Sequence, residues 1–314
     1  MSKRNYSIRL FISLSTTLIA LLSFGLMPAQ AQTISFSASG LAGEGVFQPT
    51  QLQFGPDERL YVTQQNGIIW AFTIERNGPN DYVIVDTETI TSIIDNVPNH
   101  NDDGSFLNIG SQRQVTGIYV TGSAEFPILY VSSSDYRQGG AGEGTDTNLD
   151  TNSSLLSRLT WNGTTWEHMQ LVRGLPRSEE NHSFNGMYMD EVNNIMYITV
   201  SGNTNAGGPS NNFAYLSEFA YSGTIVAVDL TALDALPTQT ETVGGQLINY
   251  KYDLPTVDDP TRPNVDEDGN PASQDPNDAN YSPIDVNDPF GGNDGLNQSR
   301  VNDGTPLEIY STGW

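Results

Sequence analysis

Leu52-Gln-Phe-Gly-Pro-Asp-Glu-Arg-Leu-Tyr-Val-Thr63 reads as a strand, a tight Gly-Pro-Asp turn and a second strand. The same plan returns over residues 117–132 and 186–199. The second strands carry tyrosines 69 and 67 residues apart, namely Tyr61, Tyr130 and Tyr197. Each tyrosine precedes a β-branched residue and then Ser or Thr, which is typical of a half-buried strand.

A further short alternating strand follows each copy, over residues 68–74, 154–161 and 223–229. Recurring groups of short strands predict an all-β fold, a β-propeller of which this chain supplies about three blades. A β-sandwich is the alternative, but it gives no reason for the repeat. The period exceeds the roughly 40–50 residues of common blade families, which predicts long loops between strands.

The first 31 residues have the features of a secretory signal peptide. Lys3, Arg4 and Arg9 make a basic start, the segment up to Met27 is mostly apolar, and Ala29-Gln-Ala31 offers a cleavage signal. A membrane anchor is the alternative. We therefore expect a secreted or periplasmic protein without a membrane span, since no later segment reaches the roughly 20 apolar residues that a span needs.

Composition narrows the possible partners. The chain has no cysteine, so it forms no disulfide, and it carries 37 acidic against 13 basic residues. Removing the leader changes the net charge from −24 to −27. Such a charge repels nucleic acid and acidic membranes, whereas neutral sugars and divalent cations remain acceptable. Oligomeric state is not indicated.

The domain organisation follows from where the periodicity stops. Residues 32–252 are expected to form the first blades, and residues 253–303 contain eleven Asp and one Glu with little periodicity. This segment is predicted to be an acidic insertion. Residues 304–314 resemble the opening of a next blade. Three blades do not close a ring, so we expect an N-terminal fragment of a longer product.

His182 stands in the polar stretch 175–187, directly before a strand. A loop histidine can exchange a proton near neutral pH, and the loops of one propeller rim converge on its axis. His182 is therefore a candidate general base; a surface histidine without a role is the alternative.

Four stretches, 49–63, 113–118, 174–182 and 310–314, together resemble the glucose/sorbosone dehydrogenase family. The resemblance implies a six-bladed propeller and an exported, calcium-containing sugar dehydrogenase that uses pyrroloquinoline quinone. It implies that His182 removes the anomeric hydroxyl proton of an aldose while hydride passes from C1 to the quinone. It also places sugar-contacting amides at Gln112 or Gln114 and at Asn203.

The chain departs from the family at two points. Asn181 stands where well-studied members have an acidic residue, so it can orient the imidazole but adds no charge. The resemblance implies that the quinone's basic ligands and most calcium ligands lie beyond Trp314, so this chain is expected to be inactive as an enzyme by itself. The alternative function is a non-catalytic secreted propeller that binds a protein or a glycan.

A calcium site independent of the family is suggested by oxygen side chains at alternate positions before Gly269. The pattern resembles the start of an EF-hand loop, with candidate ligands Asn264, Asp266, Asp268, Asn270 and Asp275. A solvated acidic loop is the alternative interpretation. No phosphate loop or metalloprotease motif occurs.

Overall fold

Each repeat folds as an antiparallel sheet whose second strand carries the repeated tyrosine. The computed structural model describes residues 38–101, 105–107, 112–138, 149–180, 182–203, 213, 218–254, 270–273, 277–281, 299, 301, 304 and 306–313. The chain divides at Gly40. Only 38–40 are described in the first unit, and every element below belongs to the second, Leu41–Trp314.

Sheet 1 contains five strands, arranged in the order β1-β5-β4-β3-β2. Their bounds are β1 Leu41–Ala42, β2 Pro49–Phe54, β3 Leu60–Gln64, β4 Ile69–Gly78 and β5 Asp81–Ile90. A five-residue helix, α1, Ser92–Asn96, follows, and then the two-stranded pair β6, Asn99–His100, and β7, Phe106–Leu107.

Sheet 2 is built on the meander of β8 Gln114–Gly122, β9 Pro127–Ser134, β10 Ser154–Trp161 and β11 Trp166–Leu175. Sheet 3 is built from β12 Phe184–Asp190, β13 Ile195–Val200, β14 Thr224–Asp229 and β17 Leu307–Thr312. Between β14 and β17 come α2, Leu230–Ala235, and the hairpin β15 Gln239–Val243 and β16 Gln246–Asp253.

The three sheets pack face to face with sheet 2 in the middle. One apolar cluster joins sheets 1 and 2 and contains Tyr61, Ile69, Ile118 and Leu129. A second cluster joins sheets 2 and 3 and contains Leu156, Leu171, Met196 and Val226. This is the packing of propeller blades, and the prediction of an all-β propeller-type fold is confirmed.

The first strands of the sheets adjoin one another, as the innermost strands of blades do. The amide of Gln53 on β2 donates to the Val120 carbonyl at 3.0 Å and accepts from the Val120 N–H at 2.9 Å. The Ser132 hydroxyl of sheet 2 donates to the Asn185 carbonyl of β12 at 3.0 Å. Polar side chains thus satisfy strand edges that a meander leaves open.

The meander places the long connections at one end of the sheets, which we call the loop rim. Strand pairs such as Gln114↔Ser134 and Phe184↔Val200 end there. Its connections span residues 91–113, 135–153, 176–183 and 201–223, whereas tight turns occupy most of the opposite end. The predicted long loops are present, and they account for the length of the repeat.

One assignment from the sequence needs correction. Leu307–Thr312, expected to open a next blade, instead pairs with β14 and completes sheet 3. A second pairing was not anticipated: β16 runs parallel to β11, so the hairpin β15–β16 extends sheet 2. Alternation of polar and apolar residues shows that a strand has one buried face, but it does not name the partner strand.

Candidate functional site

The turn that carries His182 connects β11 to β12 at the loop rim. The Ser178 N–H donates to the His182 carbonyl at 2.9 Å, and the His182 N–H donates to the Ser178 hydroxyl at 2.9 Å. Arg177 holds the same turn from below, since its guanidinium donates to the carbonyls of Ser178 and Glu180. The backbone at His182 is therefore fixed by side chains of its own turn.

The His182 ring is held by a second loop. Its Nδ1 lies 3.1 Å from the Gly202 carbonyl oxygen, and its ring centroid lies 4.8 Å from that of Phe213. A carbonyl oxygen only accepts, so in the neutral imidazole Nδ1 carries the proton and Nε2 keeps its lone pair. The contacts therefore select the tautomer that a general base needs.

Asn203 lies beside this carbonyl, so the fold brings two of the predicted site residues together. The Asn203 side chain is buried, and the Asn203 backbone N–H donates to Glu218 Oε2 at 2.8 Å. Gly202 leaves room for that carboxylate, because a Cβ there would stand 2.9 Å from Glu218 Oε1. Glu218, which shapes the 201–203 loop, was missed in the sequence because it lies in no motif.

The glutamine candidates occupy different environments. Gln112 is exposed, and its backbone carbonyl accepts from the Asn99 side-chain amide at 2.9 Å. Gln114 is buried, and its Oε1 accepts from Arg177 at 3.2 Å, which links it to the His182 turn. Asn181 lies outside the described residues.

Three arginines join the rim loops, and we call Arg113, Arg137 and Arg177 the arginine clasps. Arg113 and Arg177 are buried, and Arg137 is half-buried. Arg113 donates to Asn99 Oδ1 at 3.0 Å and to the Ser153 carbonyl. Arg137 donates to Asn101 Oδ1 at 3.0 Å. The clasps thereby tie residues 98–101, 135–137, 153 and 177–180 to one another.

The third clasp closes this set of contacts. Arg177 donates to the Asp135 carbonyl at 3.3 Å and to the Arg137 carbonyl at 2.5 Å. Burial lowers the pKa of Arg113 and of Arg177 to about 10. Both guanidinium groups remain charged at neutral pH, and their hydrogen bonds to carbonyl oxygens compensate part of the desolvation.

Carboxylates accompany the clasps in the interior. Asp135 is fully buried and forms an ion pair with Arg137 at 2.7 Å. Asp150 is also fully buried; burial raises the pKa of its carboxyl well above the usual value, against the lowering effect of the Asn152 N–H. Burying charged groups costs free energy, and this chain, which has only 13 Lys and Arg residues, places three of them here. We infer that these arginines are retained because they order the rim loops.

The described residues do not fit a quinone cofactor with several carboxylates. Such a group requires cationic side chains that face it. The guanidinium groups of the clasps are buried or half-buried, and they already bind carbonyl oxygens and Asp135.

Most of the predicted calcium loop, including Asn264, Asp266, Asp268 and Asp275, lies outside the described residues, and Asn270 is exposed. Across the described ranges, no three His, Asp or Glu side chains converge in a way that could hold a metal ion. Within the same ranges, no helix has the length and apolar character of a membrane span.

Searches for relatives gave matches among solved structures alone. No family model matches the chain. No curated protein matches it either.

The calcium structure of a Trichoderma reesei carbohydrate-active enzyme of family AA12 is similar over 81 % of this chain and 56 % of its own, with 14 % identity and a TM-score of 0.40. The iodide structure of a Trichoderma reesei enzyme of this family is similar over 79 % of this chain and 55 % of its own, with 12 % identity and a TM-score of 0.40. A Thermus thermophilus oxidoreductase, assigned as a glucose dehydrogenase, is similar over 60 % of this chain and 45 % of its own, with 14 % identity and a TM-score of 0.32. The chain therefore spans about half the length of these structures.

Proposed function

We propose that this chain forms part of a sugar oxidoreductase in which His182 Nε2 accepts a hydroxyl proton from a neutral sugar. The observation that carries the proposal is the hydrogen bond between Nδ1 and the Gly202 carbonyl, which leaves Nε2 as the acceptor. The sequence resemblance supplies the aldose as the substrate class, and it implies pyrroloquinoline quinone as the hydride acceptor, which residues outside the described ranges would hold.

The position of His182 supports this role. His182 is half-buried in a rim loop, the kind of segment that often carries binding and catalytic residues. The turn is fixed by Ser178 and Arg177, so little ordering remains to be done when a sugar binds. Asn203, at the next residue after the contacting carbonyl, belongs to the loop that positions the ring.

The non-catalytic alternative keeps one observation in its favour. The arginine clasps are engaged with protein oxygens, which leaves the described part of the rim without a cationic cradle for a carboxylated quinone. In that case the rim binds a sugar or a protein loop and transfers no electrons.

Two measurements separate these functions. Nitrogen-15 NMR of labelled histidine should show neutral His182 with protonated Nδ1 and unprotonated Nε2; the opposite tautomer would remove it as a base. In the complete oxidoreductase of which this chain is proposed to form part, with quinone and calcium supplied, aldose-dependent dye reduction should be lost in His182→Ala while sugar binding persists. Sugar binding without any dye reduction by that complete wild-type protein would favour the non-catalytic propeller.

A further inference from the structure

A cavity opens where two parallel strands of sheet 2 diverge. β16 pairs with β11 at Gln170↔Tyr250, Val172↔Tyr252 and Arg173↔Asp253. Before that point β16 pairs with β15, so residues 166–169 of β11 have β10 on one side and an opening on the other. We call the cavity beside these residues the edge cleft; its volume is about 430 Å³, within the range of ligand sites.

The lining of the edge cleft combines an indole, two amides and hydrogen-bonding side chains of both charges. Its principal residues are Asn96, Arg158, Trp166, Glu167, His168 and Asn249. One amide lies at the end of α1 and the other on β16, two elements that are joined where Gln246 Nε2 donates to Asn96 Oδ1 at 3.3 Å. Amide groups both donate and accept, as recognition of vicinal hydroxyl groups requires.

The charged and titratable groups of the edge cleft already have hydrogen-bonding partners. Arg158 forms an ion pair with Asp234 at 2.8 Å, and Glu167 accepts from the Asn162 amide at 2.8 Å. His168 Nε2 lies 3.0 Å from the Ser157 hydroxyl, and burial lowers the pKa of this imidazole to about 4. The lining therefore favours a ligand without net charge.

Trp166 gives the edge cleft a rigid aromatic wall. Its Nε1–H donates to Glu88 Oε1 at 2.7 Å, and its ring meets Tyr61 edge-on with centroids 6.4 Å apart. Trp161 lies at 5.4 Å on a tilted plane. A fixed indole beside polar groups matches the apolar face and hydroxyl rim of a pyranose.

We propose that the edge cleft binds one residue of a neutral glycan. The site is distinct from His182, because Trp166 follows the tight 162–165 turn opposite the loop rim. The proposal does not rest on the proposed oxidoreductase function. It assigns the anchoring of a polysaccharide or glycan chain to the place where β11 and β16 of sheet 2 diverge.

The test is titration of the full chain with cellotetraose, maltotetraose and xylotetraose, by calorimetry and by the tryptophan indole NMR signals. We expect at least one neutral tetrasaccharide to bind and tetragalacturonate not to bind. Asn249→Ala and Asn96→Ala should each weaken binding roughly three- to tenfold, the effect of one hydrogen bond. Asn193→Ala, in the exposed β12–β13 turn, is the matched control and should leave affinity unchanged.

His182→Ala distinguishes this site from the rim and should leave glycan affinity unchanged. Thermal unfolding of each variant shows whether it is folded, and Trp166→Phe, which keeps an aromatic wall, provides a second probe of the cleft. The proposal is overturned if no neutral tetrasaccharide binds at about 10 mM. It is equally overturned if binding survives Asn249→Ala and Asn96→Ala unchanged, or if His182→Ala abolishes it.

Discussion

The backbone of Gly117 approaches that of Asn185 so closely that a Cβ on Gly117 would stand 2.5 Å from the Asn185 carbonyl oxygen. The same Cβ would stand 2.5 Å from the Ser132 hydroxyl, which itself donates to that carbonyl. This is the point where the first strands of sheets 2 and 3 meet. Glycine at this position therefore sets the spacing between the two sheets.

Gly117→Ala should lower the free energy of unfolding by about 1–3 kcal/mol, because the added methyl group forces the two sheets apart. Gly186 occupies the matching place in the next repeat, but its Cβ would have no neighbour within 4 Å. Gly186→Ala is thus the control and should change stability little. Urea unfolding measures both; equal effects would contradict the close packing at Gly117.

Arg177→Lys should destabilise the chain by about 2 kcal/mol or more, because an ammonium group cannot reach the several carbonyl oxygens that the guanidinium binds. Hydrogen exchange should also accelerate in residues 176–183. Arg76→Lys, on the exposed β4–β5 hairpin, is the control. If the variant is as stable and as protected from exchange as the wild type, Arg177 does not hold the rim loops together.

Stability should fall with acid partly through His100, which is buried. Burial, together with Arg113 and Arg173, lowers the pKa of His100 to about 4, against the raising effect of Glu241 and Asp135. The unfolded imidazole titrates near 6.5, so the unfolded chain takes up its proton first and the His100 contribution is lost as pH falls from about 6.5 to 4.

Between pH 7 and pH 5, the free energy of unfolding of His100→Gln should therefore fall by about 2 kcal/mol less than that of the wild type. The comparison between the two proteins removes contributions from carboxyls with raised pKa, such as Asp150 and Asp253, which act in the opposite direction. Urea unfolding at each pH gives the two curves. Parallel curves would show that His100 titrates alike in both states.

Gln53→Met should cost about 1–3 kcal/mol, because the N–H and carbonyl of Val120 both lose their partner on β2. Gln239 lies exposed on β15, and Gln239→Met controls for loss of the amide itself. Calorimetric unfolding compares the two variants. A Gln53→Met chain as stable as the control would mean that water replaces the amide at this edge.

The sheets could be predicted well because strand alternation and turn residues act locally. The strands at 60–64, 127–134 and 195–200 hold the second place in three sheets, as the spacing of Tyr61, Tyr130 and Tyr197 indicated. The place of β17 was not predictable, because a long stretch of sequence separates it from its partner strand β14. Likewise, burial of Arg113 and Arg177 depends on carbonyl oxygens from distant loops.

For the candidate site, motif order placed His182 and Asn203 in loops that do meet. No motif indicated Glu218 or decided between Gln112 and Gln114. A solvent-facing and a buried glutamine two residues apart differ in their tertiary contacts, which local sequence does not encode. The unusual scarcity of basic residues was the available hint that rim arginines had structural partners.

The insertion of β15 and β16 between two strands of sheet 3 has a consequence for biosynthesis. Sheet 3 stays three-stranded until Leu307–Thr312 has left the ribosome, since that segment is its fourth strand. Translation of the intervening residues takes about 4 to 15 s. Throughout that interval the nascent chain presents the open edge of β14, which is a template for wrong pairing.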